Sequence, residues 1–207
     1  MIIGVDFDNT IVSYDALFHK VATEQELVPA SIPRNKTAVR DWLRQQDRED
    51  EWTRLQGEVY GARMAEAEIY TGVRDFFQQA QSSGSTLYII SHKTKYPFLG
   101  DKHDLHAAAR QWLEAQGFFS DTGWGLPREC VFFELTKEEK IARISACGCH
   151  VFIDDLPEIL SAPDMPTDLA RILFDPADLL ADWGLSPRAL TWAKITQLLF
   201  PRIDASF

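Results

Sequence analysis

Two carboxylates, Asp6 and Asp8, bracket Phe7 where the almost wholly apolar opening MIIGV gives out, and a second pair, Asp154 and Asp155, closes the apolar run VFI. Ser91 closes a third run, LYII, and is followed by His92 and Lys93; Lys137 and Lys140 come shortly after a fourth, CVFF. Side chains two apart on an extended chain point to the same side, so Asp6 and Asp8 share a side while Phe7 turns into the core. With Asp154 and Asp155 added, as many as four negative charges crowd one point. Each like pair at ~4 Å costs up to ~4 kcal/mol at an effective dielectric of ~20. A bound divalent cation removes that penalty, and hard oxygen ligands with no adjacent His or Cys cluster favour magnesium.

Such residues meet only if the elements bearing them end on one rim. Five short β-rich runs, at 2–7, 86–90, 130–133, 151–153 and 171–174, are nearly continuously apolar, as strands buried on both faces of a parallel sheet are. Helical patterns alternate with them. Residues 73–81 end at Gly84 and residues 104–116 at Gly117, while Thr136 and Glu139 have capping-box spacing at the start of TKEEKIARI. A last helical pattern after Pro187 carries Leu190, Trp192, Ile195, Leu198 and Leu199. The alternation predicts an α/β fold, a doubly wound parallel sheet, in which ligands bind beyond the carboxyl ends of the strands. From Tyr14 to Tyr70 the rhythm breaks: amphipathic stretches at 16–27, 37–43 and 52–69 replace strands. That is too long for a loop, so residues 14–70 are expected to form a small helical cap, and 1–13 with 71–207 the α/β core.

The bulk composition excludes several classes. The 207 residues suit one domain with a small companion, and 31 acidic against 21 basic side chains (net charge −10) oppose a nucleic-acid binder. No run approaches a membrane span, and the N-terminus lacks a secretory signal, so a cytoplasmic protein is expected. Three cysteines do not make a disulfide framework; CGCH, with Cys147, Cys149 and His150, reads as buried thiols at a helix-to-strand turn rather than a metal site.

In order along the chain, Asp6-x-Asp8-x-Thr10, Ser91 closing an apolar strand, a downstream lysine and Asp154-Asp155 resemble the haloacid dehalogenase (HAD) superfamily. Tyr70-Thr71-Gly72-Val73 and Gly84 are similar to its approach to the second motif, and the helical insertion is similar to its type-one cap. The resemblance implies that Asp6 is a nucleophile forming a transient acyl phosphate, and that Asp8 protonates the leaving oxygen and then deprotonates water. It implies that Asp6, Asp8 (through its backbone carbonyl) and Asp155 hold magnesium, with Asp154 ligating directly or from just behind. Ser91 and a lysine would meet the phosphoryl oxygens, and Asn9, Thr10 and His92 are further phosphate-contact candidates. Superfamily members that cleave carbon–halogen bonds lack the second acid, so Asp8 points to phosphoryl transfer. Lys137, at the first position of a capped helix, is preferred over Lys140 as that lysine.

The function expected is a magnesium-dependent phosphatase acting on a small phosphorylated metabolite, a sugar phosphate or nucleotide monophosphate, as monomer or homodimer. A phosphotransferase or phosphomutase, and a non-catalytic metal-binding protein, are the alternatives. Plainer readings stand beside the candidates: Asp154-Asp155 as a helix cap, His92 in a structural hydrogen bond, Lys93 and Lys95 solvated or steering substrate. His103 and His106 read as an exposed helix start, and Trp42, Trp52 and Tyr60 as the cap's own core with one or two of them facing the site. Arg34, Lys36 and Arg40 are surface charges or contacts for a substrate anion.

Overall fold

The computed structural model describes residues 1–120, 124–184 and 187–201. The core sheet is formed by β1 (Ile2–Val5), β4 (Thr86–His92), β5 (Val131–Glu134), β6 (Val151–Asp154), β7 (Ala170–Phe174) and β8 (Arg188–Ala189). Its order is β5-β4-β1-β6-β7-β8, parallel throughout. The first strand therefore lies in the middle, Ile3 beside both Leu87 of β4 and Val151 of β6.

Both faces of this sheet are dry. Ile3, Val5, Ile89, Val151, Ile153, Ile172 and Phe174 face one core, with Phe76, Phe77, Trp112 and Trp192. The interleaved Ile90, Phe152 and Leu173 face the other, with Ile141, Ile144, Ile159 and Leu160. Period-two alternation between two apolar layers is why the strands read as continuous hydrophobic runs. Gly4 lets the centre close: a Cβ there would meet Phe152 Cδ2 at 2.6 Å and Cys149 Sγ at 3.0 Å.

The helices of the core are α4 (Val73–Ser82), α5 (Leu105–Ala115), α6 (Lys137–Ala146), the single turn α7 (Pro157–Leu160) and α8 (Trp192–Leu199). The α6 capping box forms as the sequence expects: Thr136 accepts from Glu139 N–H while the Glu139 carboxylate accepts from the Thr136 N–H. The last helix begins later than expected, because Arg188 and Ala189 pair with β7 as an edge strand too short to read from pattern. It docks on its own sheet, with Trp192 against Phe76 and Phe174.

The insertion consists of α1 (Asp15–Glu24), α2 (Lys36–Gln45) and α3 (Glu49–Tyr60), followed by a 3-10 turn at Met64–Glu66. A two-stranded antiparallel ladder, β2 (Val12–Ser13) with β3 (Glu68–Ile69), closes its base; neither strand was readable from the sequence. Phe18, Val21, Val39, Leu43, Trp52, Leu55 and Val59 bury themselves continuously with the first core face. No helix among the described residues is long and apolar enough to cross a membrane.

Candidate active site

The ladder of β1 runs one residue past the strand: Asp6 N–H donates to Ile153 O at 2.9 Å. That bond fixes Asp6 between the tips of β1 and β6, where it is only 3% exposed. The chain then doubles back, with Ile11 and Val12 N–H both donating to Phe7 O, through Asn9 at a φ of 58°. Asparagine is among the few side chains that enter this left-handed region readily. The turn seats Thr10, fully buried, so that its hydroxyl donates to Asp155 Oδ1 at 3.4 Å. Its carbonyl accepts from Trp192 Nε1–H at 3.0 Å, which ties the turn to the last helix.

Oxygens of Asp6, Asp154 and Asp155 lie within 4.8 Å of one another. Lys140, itself 1% exposed, reaches in from α6 and donates to Asp6 Oδ1 and Asp154 Oδ2, both at 2.6 Å. The other Asp154 oxygen accepts the Leu156 N–H at 2.9 Å. Burial, helped by the like charges of Asp154 and Asp8, pushes the Asp6 carboxyl up to about 7 despite the Lys140 ammonium. Asp155 is raised well above the usual carboxylate range, first by burial and then by Asp154 and Asp6. Lys140 is raised because the two acids outweigh its own burial.

With all three ionised, the carboxylates against one ammonium would leave the cluster two negative charges in excess. That excess, all-oxygen donors, and the single hydrogen bonds on Asp6 and Asp155 suit a hard divalent cation. Asp154, with both oxygens already engaged by Lys140 and Leu156, suits a supporting position.

Two expectations need correcting. The first concerns lysine. Lys137 stands at the first position of α6, above the strand tips, and its ammonium turns outward to Glu158 Oε1 at 2.5 Å. Lys140 is one turn deeper, level with Asp6, and is the lysine that reaches the acids. The second concerns Asp8, whose carboxylate does not join the other three. Because β1 has ended, alternation no longer governs side-chain direction, and Asp8 swings away. Tyr14 Oη–H donates to its Oδ1 at 2.6 Å, and Lys93 Nζ donates to Oδ1 and Oδ2 at 2.9 and 2.8 Å. Lys93, expected to be solvated or to steer substrate, is thus 4% exposed.

Ser91 is buried near the tip of β4, next to β1 in the sheet. His92 instead turns its Nε2 to Leu135 O at 3.1 Å, the structural alternative. His106 is not an exposed helix start: its Nε2 bonds Lys93 O at 2.7 Å, and its ring lies by Phe133. His150 Nδ1 accepts the Ile2 N–H at 2.9 Å, while Cys147 and Cys149 are partly buried free thiols.

The insertion adds residues that no motif announced. Tyr14 meets Tyr60 edge to face at 4.8 Å, and Lys93 Nζ stands 4.8 Å from the Tyr60 ring centre. Lys36 Nζ lies 5.6 Å from the ring centres of both Tyr60 and Phe18. Only the amphipathicity of the insertion and the positive charge of Lys36 hinted at this from sequence.

The sequence matches no protein-family model and no curated protein. Solved structures do match. A protein of Haemophilus somnus described as a predicted phosphoglycolate phosphatase superposes with a TM-score of 0.58 at 16% identity, over 96% of this chain and 97% of its own. A HAD family hydrolase of Deinococcus radiodurans, solved with bound phosphate and sodium, gives 0.56 at 15% identity over 95% and 93%. A phosphoserine phosphohydrolase-like protein of Francisella tularensis gives 0.55 at 14% over 95% and 98%. With the strand order and the acids on the central strand tips, these superpositions establish that the chain has the fold of the HAD-superfamily hydrolases.

Proposed function

We propose that the protein is a magnesium-dependent phosphatase of small phosphomonoesters, working through a phosphorylated Asp6. The observation that carries this reading is the division of the two N-terminal acids. Asp6 sits in the excess-negative cluster on Lys140, while Asp8, two residues on, is held apart by Tyr14 and Lys93. Two carboxylates in different surroundings suit two tasks, attack and proton transfer.

Magnesium would be held by Asp6 and Asp155, with Asp154 behind them, and when bound it supplies positive charge against the phosphoryl oxygens. Asp6 attacks phosphorus opposite the leaving oxygen, and as that bond breaks Asp8 gives the oxygen a proton. Asp8 then takes a proton from the water that cleaves the acyl phosphate, restoring both acids. Lys140 keeps the Asp6 carboxylate oriented, and Ser91 donates to a phosphoryl oxygen. The neighbours named as phosphatases or phosphohydrolases agree with this chemistry. Residues 14–70 act as the cap that excludes water and bulky substrates.

Phosphate release from a panel of sugar, nucleotide and carboxylate phosphomonoesters, with and without magnesium, tests the reading. Turnover that needs magnesium and falls about 10³-fold or more in Asp6→Asn supports it. Activity unchanged in that variant refutes it. Product phosphate labelled from ¹⁸O-water separates a phosphatase from a phosphotransferase or phosphomutase.

A further inference from the structure

Three lysines stand around the acids, and two are accounted for. Lys140 is paired with Asp6 and Asp154, and Lys93 with Asp8. Lys36 is different. Among the described residues no carboxylate comes within ion-pair distance of its ammonium, although the group is drawn in from solvent against the Phe18 and Tyr60 rings. Burial works against its charge, and the Tyr60 hydroxyl with the fields of Asp155 and Asp8 more than restores it, so the group stays protonated. Its charge is thus sustained by a hydroxyl and by fields rather than by a directly paired carboxylate, which leaves the ammonium free to pair with a ligand anion.

Its position is built rather than incidental. Lys36 N–H donates to Asp15 Oδ1 at 2.9 Å, and Asn35 caps α2 by accepting from Ala38 N–H at 2.7 Å. The rings beneath it interlock, Phe18 with Tyr60 at 5.5 Å and with Trp52 at 5.0 Å. The neighbouring cations take no such place: Arg34 is exposed, and Arg40 Nε pairs with Asp41 at 2.8 Å. Tyr60 also ties Lys36 to the Asp8 assembly, since Lys93 lies over the same ring. In-line attack from Asp6 sends the leaving alcohol toward Asp8. The Tyr60 ring that it shares with Lys93 puts Lys36 with Asp8, on the alcohol's side in the phosphatase reading.

We propose that Lys36 is a specificity residue that pairs with a second anionic group, a carboxylate or a further phosphate, carried on the alcohol part of the substrate. The inference rests on the phosphatase reading for the direction of attack and deepens it by naming the substrate class. Lys140 and Lys93 are occupied by protein carboxylates, so of these three lysines among the described residues Lys36 is the one left for the substrate. A charge-assisted bond formed there selects doubly functional phosphomonoesters over those with neutral alcohols.

The test compares kcat/KM for 2-phosphoglycolate and a bisphosphorylated sugar with kcat/KM for ethyl phosphate and glycerol phosphate. Lys36→Met and Lys36→Arg are run alongside wild type. The expected result is a wild-type preference for either second-anion substrate. That preference ratio falls about ten- to a hundredfold in Lys36→Met and largely returns in Lys36→Arg. Because the readout is a ratio within one variant, loss of folded protein cancels. Which second-anion substrate is favoured separates the carboxylate from the phosphate. A ratio that Lys36→Met leaves unchanged, with all substrates slowed alike, would place Lys36 on the transferred phosphoryl group and overturn the proposal, as would a wild type preferring neutral alcohols.

Calorimetric binding of the same four compounds to the Asp6→Asn protein, with and without Lys36→Met, covers a chain that turns nothing over. Discrimination lost in the double variant supports the Lys36 site while the phosphatase reading falls. Absence of discrimination overturns the Lys36 site itself.

Discussion

Lys93 Nζ spans both carboxylate oxygens of Asp8, at 2.9 and 2.8 Å, from a position 85 residues further along the chain. With Tyr14 on Oδ1, this fixes Asp8 in a place its own strand does not dictate. If Asp8 protonates the leaving oxygen, Lys93 acts by positioning it. Lys93→Met is expected to lower kcat/KM for alkyl phosphates about 10²-fold. Aryl phosphates with good leaving groups need little protonation and should be far less affected. An equal loss on both classes would indicate that Lys93 merely supports the fold.

Lys140 and Lys137 should part company in both activity and stability. Lys140→Met leaves Asp6 and Asp154 buried without their cation, a loss of about 3–5 kcal/mol by urea denaturation, together with loss of turnover. Lys137→Ala removes an exposed pair with Glu158 and should cost under about 1 kcal/mol. Comparable effects of the two would contradict the placement of Lys140.

The metal-free protein should weaken as pH rises. Asp6 has its folded value lifted from 3.8 to about 7, so its contribution is fully present below pH ~4 and is lost as pH climbs to about 7. Asp155, also raised, adds in the same direction. Lys140 is raised above 10.5, and its contribution stays constant across this window. The melting temperature without metal should therefore fall between pH 5 and 8, and the rise produced by magnesium should grow over the same range. A magnesium increment that shrinks with pH would be inconsistent with these acids as its ligands.

Gly4→Ala should destabilise by about 1–3 kcal/mol, because Phe152 Cδ2 would stand 2.6 Å from the new carbon with β6 behind it. Chemical denaturation measures this directly, and a neutral substitution would show that the two strands can separate at little cost.

How much of this was legible in the sequence depended on element length and on distance from a strand's end. The five longer strands announced themselves because two apolar layers make them nearly continuously hydrophobic, as Ile89 and Ile90 illustrate by facing opposite cores. Thr136 and Glu139 announced the start of α6, since a capping box is a purely local arrangement. The two-residue strands carry too few side chains to show a period. The crowding of four charges fails at the Asp8 carboxylate because alternation stops when the strand does. Lys137 departs from its expected place because a lysine's reach past a helix end depends on what lies opposite, here Glu158. Tyr14, Lys36 and Tyr60 converge through tertiary packing of the insertion, which no local pattern encodes.

The bond from Trp192 to the Thr10 carbonyl joins residues 182 positions apart. Together with a first strand that must sit between β4 and β6, it makes the site depend on contacts of high sequence separation, which are slow to form. Without Trp192 the turn would keep its bonds to Ile153 and Asp155 but lose its tie to the last helix. Docking of the last helix, rather than assembly of the strands alone, would then complete the turn on which Asp8 and Thr10 stand.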